Sequence, residues 1–76
     1  MRVLITVESS PKQRLLVELN KETAKAVKGL LGSRKRDKAI MTAITKGEFM
    51  GSIGDKEARS VDVDLILTKH GAYWNL

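Results

Sequence analysis

The spacing of apolar positions shifts along the chain from a period of two to one near 3.6 and back again, and these shifts mark out its elements. Arg2 to Glu8 is β-branched and apolar and predicts a strand. Ser9-Ser10-Pro11-Lys12 is a turn signal, with proline to fix φ. Arg14 to Leu19 then sets Leu15, Val17 and Leu19 on one face and Arg14, Leu16 and Glu18 on the other, a second strand. The simplest local reading of the two is a β-hairpin. Asn20 is a suitable N-cap for a helix over roughly Lys21 to Leu31, in which Thr23, Ala24, Val27, Leu30 and Leu31 recur at helical spacing. Gly32 is placed to end that helix in the left-handed conformation. A second helix is expected from near Ser33 to about Lys46, with Ala39, Ile40, Ala43 and Ile44 on its apolar face and Gly47 as its stop. Gly47 to Asp55 has no clear period and reads as a loop. Ser60 to Thr68 alternates as a strand, and His70 to Leu76 reads as a short tail carrying Tyr73 and Trp74.

Length decides how these elements can be stabilised. Seventy-six residues make one domain, 1–76, whose core is marginal at this size. With no cysteine and a single histidine, neither disulfides nor a structural zinc site can reinforce it. Association is the remaining route, so a homodimer or a tight partner is expected. No stretch approaches the ~18–20 apolar residues of a membrane span, and the N-terminal apolar run is too short for a signal peptide. Cytoplasm is the default expectation.

Charge narrows the partners. Residues 1–46 hold eleven Lys and Arg against four Asp and Glu, whereas 47–76 hold three against five. A basic front with Arg34-Lys35-Arg36 at its peak suits a polyanion, and the rest is free for a protein partner. Catalysis finds little support. The serines sit in turn or cap contexts without a glycine-flanked elbow, and Gly51-Ser52-Ile53-Gly54-Asp55 lacks the lysine of a phosphate loop. His70 has no second histidine or cysteine to share a metal, and Asp62 and Asp64 read as a solvated face. No catalytic residue, metal ligand or cofactor is assigned.

The order of strand, helix, turn and helix over 14–46 resembles the ribbon-helix-helix DNA-binding family, with VapB-type antitoxins nearest and Arc and CopG more distant. Leu15-Leu16-Val17-Glu18-Leu19, Lys21-Glu22-Thr23-Ala24 and Gly32-Ser33-Arg34-Lys35-Arg36-Asp37-Lys38-Ala39-Ile40 carry the resemblance. It implies a dimer in which one strand from each chain forms a ribbon in the major groove of double-stranded DNA. Arg14, Leu16 and Glu18 would face the bases, Arg14 as the chief base contact, and Ser33, Arg34, Lys35 and Arg36 would hold phosphates at the start of the second helix. Val17, Leu19, Val27, Leu30, Ile40 and Ile44 would fill the shared core. The implied function is a transcriptional regulator, as an antitoxin or autorepressor, with the second half of the chain contacting a partner protein. Apart from the resemblance, Tyr73 and Trp74 read as a pair that anchors a partner or stacks a base, or that folds back as a lid on the small core.

Three features depart from that family: the preceding strand, the acidic Glu18 on the groove side, and the C-terminal strand. They keep a second α+β fold open, a three-stranded antiparallel sheet with both helices on one face. In that fold Arg34-Lys35-Arg36 is only a basic corner, and the function becomes a small protein-interaction module.

Overall fold

The computed structural model describes residues 1–9, 12–58 and 60–75, with residue 55 by its backbone alone. It holds five strands and three helices in the order β1 (Arg2–Val7), β2 (Gln13–Glu18), α1 (Lys21–Gly32), α2 (Arg36–Lys46), β3 (Glu48–Ser52), α3 (Asp55–Ala58), β4 (Leu65–Thr68) and β5 (Gly71–Trp74). One mixed sheet runs β3-β2-β1-β4-β5. The expected hairpin is present: β1 and β2 pair antiparallel, with Val3 opposite Val17 and Ile5 opposite Leu15. The turn expected between them lies partly outside the described residues.

This sheet overturns the ribbon-helix-helix dimer. A ribbon needs the Arg14–Leu19 strand at an edge, free to pair with its copy, but β2 is flanked by β1 on one side and β3 on the other. The three-stranded antiparallel alternative is also incomplete. The sheet has five strands, and β4 joins β1 in parallel, with Val3, Leu4 and Ile5 beside Leu65, Ile66 and Leu67. The stretch read as a loop supplies β3, and the tail supplies β5.

Alternation of side chains divides the sheet into two faces. Val3, Ile5, Val17, Leu65 and Leu67 point to the face covered by α1 and α2 and form the core with Leu19, Val27, Ala39 and Ala43. Leu30 and Ile40 pack at its margin, and Ile44, expected inside, is exposed. Leu4 points the other way yet is only 3% exposed. The segment that leads from β3 to β4 is tied to β2 near its start and to β1 at its end. The Ile53 amide donates to the Arg14 carbonyl at one end, and the Asp64 amide donates to the Arg2 carbonyl at the other, at 2.8 and 2.9 Å.

Local chemistry accounts for the joints. Asn20 Oδ1 accepts from the Thr23 amide at 2.8 Å and opens α1 as expected. Gly47 ends α2 as expected, though in an extended conformation. Its role is space: a β-carbon there would collide with Val17 Cγ1, the Ala43 carbonyl and Leu19 Cδ2. In β3 the pairing with β2 slips at Met50, which has no partner while Phe49 meets Val17 and Gly51 meets Leu16. Gly51 takes φ 137°, a conformation open to glycine, to absorb this bulge. Among the described residues no helix is long and apolar enough to cross a membrane.

Candidate nucleic-acid interface

Helix α1 ends differently from the sequence expectation, and the difference builds a site. Gly32 remains helical, and the left-handed residue is Arg34, at φ 60°. The Arg34 amide donates to the Leu31 carbonyl at 3.1 Å and the Lys35 amide to the Leu30 carbonyl at 2.8 Å. These two bonds make a Schellman closure, in which the left-handed position ordinarily belongs to glycine. An arginine there carries strain of order 1 kcal/mol or more. Ser33 is the C-cap of α1, its amide donating to the Gly29 carbonyl at 3.0 Å, rather than the N-cap of the second helix. Helix α2 starts only at Arg36, so Ser33, Arg34 and Lys35 form the link between the helices.

That link leans toward the free edge of β5. Arg36 Nη2 donates to the Lys69 carbonyl in the β4–β5 turn at 2.8 Å, while its Nε is buried without a hydrogen-bond partner. Trp74 sits opposite Leu65 and therefore on the helix side of the sheet, at 42% exposure. Lys28 Nζ stands 6.0 Å from the centre of the indole, at the outer range of a cation–π contact. Between α1, the link and β5 lies an open cleft of about 560 Å³, lined by Lys28, Leu31, Gly32, Arg34, Arg36, Ala72 and Trp74. Three cations and an indole meet there. Among the described residues no carboxylate lines it, and none of the three cations has an ion pair.

A neighbouring cavity of about 360 Å³ shares Lys28 and Trp74 and adds Met1, Asp64 and Asn75. The two meet at the Lys28–Trp74 pair. Asp64 is fixed in the second by the Arg2 amide, which donates to Oδ2 at 2.9 Å. Lys69 and His70 are exposed at the basic mouth.

The residues expected at the bases are elsewhere. Arg14, Leu16 and Glu18 are half-buried on the second face of a central strand. Leu16 lies between Leu4 and Gly51, and the Glu18 carboxylate meets the N-terminal amine at 3.4 Å. Their strand is paired on both sides, so it cannot form a ribbon with a second copy. Of the expected phosphate contacts, Arg34 and Arg36 line the cleft, while Ser33 and Lys35 are exposed beside it. Tyr73 and Trp74 both line an open cavity of about 410 Å³ with Val61, Val63 and Ile66, although their side chains leave β5 on opposite faces. Successive strand residues face opposite sides, so Tyr73 lies with Ile66 on the second face. Lys28 was missed as a site residue; its spacing from Lys21 and Lys25 was the available signal. Among the described residues no acidic or histidine cluster could hold a metal ion.

Comparison of the chain with known protein families, with curated proteins and with solved structures finds no match.

Proposed function

We propose that this protein binds nucleic acid through the cleft between α1 and β5. The observation that supports the reading is the placement of the Trp74 ring among Lys28, Arg34 and Arg36 in a concavity without a lining carboxylate. Cations concentrate phosphate, and an indole offers a stacking surface that phosphate alone does not need. The strain at Arg34 adds to it, since a left-handed arginine is retained where glycine would close the same turn without cost. The reading gives up ribbon-based reading of a duplex, which the enclosed β2 excludes. The test is a titration of labelled nucleic acid across salt concentrations with the native protein and with the Arg34→Ala/Arg36→Ala variant. Affinity should fall with salt in both, less steeply in the variant, by about 1.4 to 1.8 in the log–log slope for two lost cations. An unchanged slope removes the cleft from the interface.

A second reading, association with another copy of the chain, is favoured by the far edge of the molecule. Met41, Ile44, Phe49 and Met50 are all exposed on α2 and β3, and β3 is an edge strand with one side unpaired. A second copy can pair its own β3 there about a twofold axis and cover the same four residues in both chains. Sedimentation should then give a dimer that Phe49→Lys dissociates. A monomer at all concentrations overturns this reading without touching the first.

A further inference from the structure

The cleft is the end of a longer basic track, and the track's form bears on which nucleic acid it takes. Lys21, Lys25 and Lys28 follow one another at i, i+4 and i+7 along α1, all exposed. At 3.6 residues per turn the three fall on one stripe about 10 Å long. The stripe lies toward the side of α1 on which Lys28 and Leu31 line the cleft, away from the buried Thr23 and Val27. Glu22, the acidic residue of the first turn, stands three residues before Lys25 and flanks the stripe at its start. Among the described residues none of the three lysines has an ion pair. The stripe and the cleft together set five cations in a line: Lys21, Lys25, Lys28, Arg34 and Arg36.

Beside the middle of that line, at Lys28, stands an aromatic face rather than another cation. A duplex stacks its bases on one another and shows only their edges in the grooves, so it has no base face to offer an indole set within a cleft. An unpaired base has one. The two mouths of the site also differ in charge. Arg34 and Arg36 draw phosphate into one of the cavities that Trp74 lines, and Asp64 in the other repels it. A base is the part of a nucleotide that both accept.

Resting on the cleft reading above, we propose that the ligand is single-stranded nucleic acid, its backbone following Lys21, Lys25, Lys28 and the Arg34–Arg36 link, with one unpaired base stacked on Trp74. The recognition is sequence-tolerant, because every base has a π face. The 2′-hydroxyl distinguishes its two sources, DNA and RNA strands.

The experiment uses the whole chain and fluorescein-labelled 12-mers of mixed sequence as single-stranded DNA, single-stranded RNA and duplex DNA, with anisotropy and the emission of the single tryptophan read together. Single strands should bind at least about tenfold tighter than the duplex and quench the indole, with a salt slope near −3.5 for five neutralised phosphates. DNA and RNA strands binding alike supports a backbone-and-base contact; a preference for RNA supports it with a 2′-hydroxyl contact added. Trp74→Ala should lose about tenfold or more on single strands only, and Trp74→Phe should keep most of the affinity. If duplex binds as tightly as single strand and indole emission does not move, the single-strand assignment is overturned while the basic cleft stands. If neither form binds at low salt, the cleft reading itself is overturned.

Discussion

The amide of Lys35 donates to the carbonyl of Leu30 across 2.8 Å, and that bond closes the end of α1 with Arg34 left-handed between them. Glycine could close the same turn without strain, so stability and charge placement oppose each other at one position. Arg34→Gly should raise stability, or leave it level, by up to about 1 kcal/mol in chemical denaturation. The same variant should weaken nucleic-acid binding and lower the salt slope by about 0.7 on single strands. A variant that loses stability would show that the arginine side chain holds the link by packing rather than serving a ligand.

Gly47 leaves no room for a β-carbon where the end of α2 meets Val17 and Leu19. Gly47→Ala should destabilise the protein by roughly 1–3 kcal/mol, because a β-carbon there must displace Val17, Leu19 or the end of α2. Thermal unfolding followed by circular dichroism measures this. Gly29→Ala, at an exposed helix position with open space around it, should instead stabilise by about 0.5–1 kcal/mol.

Leu67 lies fully buried where β4 meets β1. Leu67→Ala should cost about 2–5 kcal/mol. For a core this small that is a large share of the total, so urea unfolding should show a much earlier midpoint.

Arg14 separates the present site from a ribbon. On the enclosed strand β2, Arg14→Ala should leave affinity for any nucleic acid within about twofold, whereas Lys25→Ala should reduce the salt slope on single strands by about 0.7. A tenfold loss from the Arg14 variant alone would return β2 to the interface.

These contrasts follow the line between what was legible in the sequence and what was not. The β1–β2 hairpin, the Asn20 cap and the Gly47 stop were legible because each is encoded within a few neighbouring residues. Strand β3 was not. The bulge at Met50 breaks its two-residue period, and three closely spaced glycines around it read as a loop. Strand β5 is only Gly71–Trp74, and its partner register is set by a tight turn at Lys69 and His70 rather than by its own pattern. The parallel pairing of β1 with β4 joins residues more than sixty positions apart, and nothing local encodes it. The ribbon-helix-helix dimer expected over 14–46 was overturned for the same reason: it rested on a local order of elements, while the neighbours that enclose β2 come from outside that span. At the site, the charge of Arg34 and Arg36 was legible but the left-handed turn was misplaced onto Gly32. The meeting of Lys28 with Trp74 depends on the whole sheet being assembled.

The placement of β1 also bears on how the chain is made. Of the five strands, β1 is synthesised before the other four yet is the middle strand of the finished sheet, and β2 can cover only one of its sides. The other side waits until Leu65–Thr68 has been synthesised, at ~5–20 residues per second. For those seconds Val3, Leu4 and Ile5 present an open apolar edge on a nascent chain, the kind of surface that chaperones recognise and that pairs with the wrong strand when they do not. Crowding of such chains on one message should therefore limit the yield of this protein more than the equilibrium stability of its finished form.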